Sequence, residues 1–214
     1  MPEQPMSQTY LEVAASALTL LSDPAVAGAW RAPSALAGFT VGGLAEHLAT
    51  QIFSVRAGLA APWPDHEVIG LLDHYSRVSW LGADLDAEAN VAIREGGEQS
   101  AAEGPQALVG RADAALAELR DLLPALPADR PLSINRYAWA LRLEDVLVTR
   151  VMELAVHSDD LAVSVGVPTP SLPPQAVERV TDLLTRLAVQ RHGPTAVLRA
   201  LSRAERAPTS ISAF

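Results

Sequence analysis

The sequence predicts an all-α protein, a four-helix bundle with additional C-terminal helices. Three observations carry this. Apolar residues recur at the helical period through most of the 214 residues. Proline and glycine cut the chain into segments of helical length. No stretch shows the several alternating apolar–polar runs that a sheet requires.

The elements follow in order. Residues 7–22 place Leu11, Ala14, Leu18 and Leu21 on one face, with Ser7 in position to cap, and Asp23-Pro24 ends the helix. A loop with Trp30 and Pro33 leads to Thr40, the expected N-cap of a second helix reaching residue 59. Its stripe is Val41, Leu44, Leu48, Ile52, Val55 and Leu59, one helix face, and Pro62 and Pro64 stop it. A shorter helix is predicted over 68–80. Residues 86–123 read as a third long helix, broken near Gly104-Pro105 because proline suits a first turn. Its stripe is Leu108, Ala112, Ala115, Leu119 and Leu122; Pro124 and Pro127 close it. Residues 131–142 read as extended or irregular. A strongly apolar helix then covers 143–165, with Gly166 as its C-cap. Pro173 and Pro174 open a fifth helix that reaches His192 and stops at Gly193, and a last short helix covers 195–203. The expected division is a bundle over 1–206 and a loosely ordered tail over 207–214.

Composition narrows the function. A net charge of −9 disfavours nucleic acid and anionic membrane surfaces. The absence of cysteine removes disulfides, thiolate metal sites and cysteine nucleophiles. With no basic-then-apolar start and no apolar run of about 18 residues, a cytoplasmic protein is expected. All 16 basic residues are arginine and alanine is abundant, a bias of GC-rich, actinobacterial-type genomes.

The apolar fourth helix carries three residues that need explaining: Arg150, Glu153 and His157. At 100° per residue, Arg150 lies about 20° and Glu153 about 40° from His157, so all three share a face. Burying an ionised carboxylate without compensation is costly. A divalent metal held by Glu153 and His157 at i, i+4 would supply it. So would an ion pair between Glu153 and Arg150, with His157 a hydrogen-bonded core residue. The best third ligand among five histidines is His47, at the edge of the second helix's stripe. His66 lies in a proline-flanked loop, His74 beside Asp73 in a more polar helix, and His192 at a helix end. Gln51, one turn after His47, is a better partner for it than Glu46. The Thr40–Gly43 stretch has glycines but no phosphate-loop pattern, and Trp30, Trp63, Trp80 and Trp139 read as packing residues.

At these residues the chain resembles a known family. LRLEDVLVTRVMELAVHSDDLA is similar to the R-x-x-E-x-x-x-H-x-x-D-L signature of the mycothiol-dependent maleylpyruvate isomerase N-terminal domain, a DinB/YfiT-like metal-binding bundle. FTVGGLAEHLA is similar to its second-helix motif, and RHGPTAVLRALSRAERAP also resembles actinobacterial members. The resemblance implies His47, Glu153 and His157 as ligands of a divalent metal, usually zinc. It implies Asp160 as an outer partner or helix-packing residue, and mycothiol as a thiol activated on the metal. It points to a thiol-dependent transferase or isomerase acting on a small electrophile. Arg150 is a candidate for holding a substrate carboxylate. The isomerase also has a C-terminal α/β domain, whereas the 48 residues after Gly166 here read as helix. The alternative is therefore a non-catalytic metal-binding bundle that serves as a small-molecule binding or regulatory module. A monomer or homodimer is expected.

Overall fold

The computed structural model describes residues 4–79, 81, 84, 86–134 and 137–214, apart from the side chain of Ala89. Its architecture is all-α. Four long helices form the bundle: α1 (Met6–Leu21), α3 (Val41–Ala60), α6 (Pro105–Leu122) and α7 (Leu143–Val165). Each packs on two neighbours around a ring, α1 and α3 both touching α6 on one side and α7 on the other. The predicted stripes make most of the core: Leu44, Leu48, Ile52 and Val55 of α3, Leu108, Ala112, Ala115 and Leu119 of α6 and Leu147, Val151 and Leu154 of α7 are all buried. Leu116 of α6 joins them from outside the predicted stripe, whereas Leu122, expected in it, is exposed where the last turn of α6 runs beyond the core.

The remaining elements lie outside this ring. α5 (Glu88–Ala101) packs along α3. α8 (Pro174–His192) packs on α7, α1 and the short α4 (Leu71–Arg77), and α9 (Pro194–Ser202) packs on α8. A small antiparallel ribbon, β1 (Pro131–Leu132) with β2 (Leu141–Arg142), precedes α7. This is the extended segment expected there. Among the described residues, no helix is long and apolar enough to cross a membrane.

Several boundaries differ from expectation for local reasons. Ser7 does not cap α1; the helix begins one residue earlier, because Pro5 holds the extended cap conformation and its carbonyl accepts from Gln8 and Thr9. Asp23-Pro24 both ends α1 and starts the unpredicted α2 (Pro24–Gly28), since the Asp23 carboxylate accepts from the Ala25 N–H at 2.8 Å. α4 is shorter than 68–80. Residues 67–69 instead bond Ala140 as an isolated bridge, with Ile69 N–H to Ala140 O at 2.9 Å, and Trp80 lies outside the described residues. The break at Gly104 is complete: its φ of 87° turns the chain, so α5 and α6 are separate helices on different faces of α3. Thr40 and Gly166 act as predicted. Thr40 Oγ1 accepts from Gly43 N–H at 3.0 Å, and Gly166 is left-handed.

The glycines after Thr40 serve close packing rather than phosphate binding. A Cβ on Gly42 would meet the Trp30 indole at 2.7 Å, and one on Gly43 would meet the Glu98 carboxylate. Glu98, from α5, accepts from the Thr40 N–H at 2.8 Å and from its hydroxyl, and so caps the start of α3 from a neighbouring helix. This fixes the helix that carries His47. The same contact makes α5 sensitive at one glycine and not at the next. A Cβ on Gly97 would lie 2.9 Å from the Gly43 carbonyl oxygen, whereas one on Gly96 meets nothing within 4 Å. Gly97→Ala is expected to cost ~1–3 kcal/mol through overpacking against backbone. Gly96→Ala should stabilise by ~0.5–1 kcal/mol. Urea unfolding of the two variants measures the contrast; equal effects would mean that α3 and α5 do not touch here.

Candidate metal centre

His47 from α3 and Glu153 and His157 from α7 meet across the seam between the two helices. His47 Nε2 lies 3.2 Å from His157 Nε2, which lies 3.1 Å from Glu153 Oε2. One ligating atom from each residue falls within 4.8 Å of the other two. The arrangement follows from helix geometry: Glu153 and His157 stand one turn apart on α7, and α3 presents His47 from across the seam. All three are partly exposed rather than sealed, Glu153 at 12% and His157 at 13% of their side chains.

A surrounding shell orients them. Asp160 Oδ2 accepts from His157 Nδ1 at 3.0 Å, which turns the Nε2 edge of that ring toward the cluster. The Phe39 ring packs 5.7 Å from that of His47. Gln51 departs from its expected role: its amide N–H donates to the His47 backbone carbonyl at 2.9 Å and does not reach the imidazole, because i, i+4 on a helix brings it to the carbonyl. Its Oε1 instead accepts from Arg150 Nη1 at 2.6 Å. Arg150 donates its Nε–H to Thr149 and forms no ion pair with Glu153, so the ion-pair alternative is not the arrangement adopted. Glu46 is buried and points away, its carboxylate paired at 2.5 Å with the exposed Arg111 of α6.

Of the other histidines, His66 is exposed, and His192 donates to the Ser212 carbonyl at 2.8 Å. His74 is the surprise. It is buried, its Nδ1 accepts from Trp139 Nε1–H at 3.0 Å, and its ring lies against Tyr75 and Tyr137. Nothing in its local sequence marks it, since Trp139 lies 65 residues further along. Trp30 packs on Gly42, Trp139 stacks on Tyr137 at 4.7 Å, and Trp63 is exposed beneath the Arg130 guanidinium.

The charges are strongly coupled. Burial pushes His47 down to about 4, helped by the charge of His157 and opposed by Glu153. His74 is likewise lowered to about 4 by burial and then by Arg150. Burial works to raise Glu153, but the hydrogen bond and charge of His157, with Arg150 and His47, bring it down to about 2. Burial also works against a charge on His157, yet its hydrogen bonds to Asp160 and Glu153 raise it to about 9. Two carboxylates thus favour a cation at this point of the seam.

Comparison with known proteins agrees on the family. The family described as mycothiol maleylpyruvate isomerase N-terminal domain matches residues 11–162. Among solved structures, the chain is similar to one described as the crystal structure of the mycothiol-dependent maleylpyruvate isomerase, with a TM-score of 0.53 and 15% identity. The likeness covers 88% of this chain and 73% of the other, and at that identity it speaks for the fold alone. No curated protein matches the sequence.

The pKa shifts predict how the stability of metal-free protein depends on pH. His47 and His74 are depressed, so their contributions are present above 6.5 and are lost as pH falls toward 4. His157 is raised, so its contribution is full below 6.5 and is lost as pH rises through about 9. The melting temperature should therefore peak near pH 6.5. Asp160→Asn should flatten the alkaline side of the curve, as thermal scans from pH 4 to 10 will show. An unchanged alkaline side would remove Asp160 as the partner of His157.

Proposed function

The chain belongs to the mycothiol maleylpyruvate isomerase N-terminal domain family, and from that premise we propose that it is a metal- and thiol-dependent transferase or isomerase. His47, Glu153 and His157 hold one divalent metal, zinc, and the co-substrate is a low-molecular-mass thiol such as mycothiol, acting on a small electrophile. The convergence of the three ligating atoms supports this most directly. Ligand atoms on a tetrahedral zinc with bonds of 2.0–2.1 Å stand about 3.3 Å apart, and the His47–His157 and His157–Glu153 separations are 3.2 and 3.1 Å. Two imidazole nitrogens and one carboxylate oxygen are also a donor set that zinc accepts.

Each residue then has a task. Asp160, on Nδ1, leaves the Nε2 of His157 as the ligating nitrogen and raises its basicity. Gln51 ties the backbone of His47 to Arg150, and so connects α3 to α7 one turn from the ligands. Three protein ligands leave room for a fourth from outside, and their partial exposure leaves a path to it. A metal held there would lower the pKa of a bound thiol and so supply a nucleophile at neutral pH. The chain has no thiol of its own to compete.

Without metal, His157 is the cation between Glu153 and Asp160. Metal and proton thus compete for one place, and zinc uptake at pH 7 should release about one proton. Purified protein is expected to hold about one equivalent of zinc by elemental analysis, and His157→Ala to lose it. Cobalt-substituted protein mixed with mycothiol should develop a sulfur-to-metal charge-transfer band in the near ultraviolet. Zinc-free wild type after metal loading would sink the metal reading. A metal-loaded protein that gives no band with mycothiol or simpler thiols would instead leave a small-molecule binding module.

A further inference from the structure

The cluster is bracketed along the seam. His47 faces His157, while Gln51, further along α3, reaches Arg150, earlier in α7, so the two helices run antiparallel here and the Gln51–Arg150 bond ties one flank. The loop that joins α2 to α3 crosses the other flank. Residues 33–40 double back there: Pro33 and Thr40 form an antiparallel bridge, Ser34 N–H donates to the Phe39 carbonyl at 2.9 Å, and Phe39 N–H donates to the Leu36 carbonyl at 3.2 Å. The Ser34 hydroxyl also donates to the Leu36 carbonyl, at 2.9 Å. Gly38 makes the return bend with a φ of 84°, which glycine adopts without strain.

This internally bonded loop is fastened on three sides. On α3, the buried Phe39 ring lies 5.7 Å from the ring of His47. On α7, Ala35 N–H donates to Ser164 Oγ at 2.8 Å, and the Ser164 hydroxyl donates to the Asp160 carbonyl at 2.6 Å. Asp160 is the residue whose carboxylate accepts from His157 Nδ1 at 3.0 Å. From α5, the Arg94 side chain lies over Gly38 so closely that a Cβ there would meet its Cδ at 2.9 Å. The loop therefore spans the seam, from one histidine of the cluster to the helical turn that orients the other.

We propose that residues 33–40 are a strap that positions the two imidazoles of the His47–Glu153–His157 cluster, with Ser164 and Phe39 as positioning residues, and that the strap slows the escape of an ion held there. This rests on reading the cluster as a metal centre. An ion leaves such a site when its ligands part, and His47 and His157 stand on different helices. The strap opposes that parting on the flank that the Gln51–Arg150 bond does not serve. Ser164 acts through Asp160, and Phe39 acts on the His47 ring. Neither is itself a ligand.

The test follows transfer of zinc from loaded protein to an excess of chromophoric chelator. Ser164→Ala removes the acceptor of the Ala35 N–H, and Phe39→Leu keeps an apolar residue but takes the ring from His47. Each should release zinc about three- to tenfold faster than wild type, as the loss of one hydrogen bond or one ring contact predicts. Ser164→Thr keeps the hydroxyl and should release zinc at the wild-type rate. In cobalt-substituted protein, Ser164→Ala and Phe39→Leu should shift the visible ligand-field bands, which a change in fold stability alone would leave in place. Unchanged release and unchanged bands in the two folded variants would overturn the strap. Equal acceleration in Ser164→Ala and Ser164→Thr would do the same, because the hydroxyl would then not be the fastening. Hydrogen exchange of metal-free protein tests the fastening without an ion: the Ala35 amide should exchange faster in Ser164→Ala than in wild type, and equal rates would overturn it. Zinc-free wild type after loading would sink the metal reading and the release claim with it. Metal content identifies that failure, and the exchange rates still decide whether the strap is fastened.

Discussion

The constraint on which the rest depends is the placing of ionised groups in the seam between α3 and α7. Glu153, His157 and Arg150 share one face of a helix most of whose other residues are buried and apolar. A carboxylate and a guanidinium in such surroundings must be held in fixed geometry, because loose charges would pull water into the bundle. The protein meets this with a connected set of partners: Asp160 on His157, Gln51 and Thr149 on Arg150, and His47 opposite. The couplings seen in the pKa shifts are the electrostatic expression of that packing.

Such a seam needs two helices at a fixed height and rotation. The scaffold provides this through features remote from the cluster. Glu98 of α5 caps α3 at Thr40, two turns before His47, and Gly43 lets α5 approach closely enough to do so. Trp30 closes over Gly42 and donates its indole N–H to the Ala101 carbonyl at 2.9 Å, which ties the end of α5 to the same region. On the other side of α3, Glu46 is buried against Arg111 of α6. Burial raises the Glu46 pKa and Arg111, whose own side chain is solvent-exposed, opposes it, so the buried carboxylate is held by its charge partner. α3 is thus gripped from three directions, and its rotation sets where His47 falls.

What the sequence by itself determined was periodic or local. The apolar stripes of α1, α3, α6 and α7 and the stops at Gly104, Gly166 and Gly193 follow from 3.6-residue spacing and from backbone freedom at glycine. The pairing of Glu153 with His157 follows from one helical turn, and His47 could be chosen from its position on a stripe. Boundaries were less legible, as at Ser7, Asp23 and residues 67–69, because a proline carbonyl, a carboxylate cap and a bridge to Ala140 each compete with helix on nearly equal terms. Only the tertiary structure decided which partner each polar group takes. Arg150 bonds Gln51 rather than Glu153, Glu98 caps a helix 58 residues earlier in the chain, and His74 is buried against Trp139, 65 residues away. Hydrogen bonds and charges act over a few ångströms of space, and nothing in the spacing of one segment records which distant segment will fold against it.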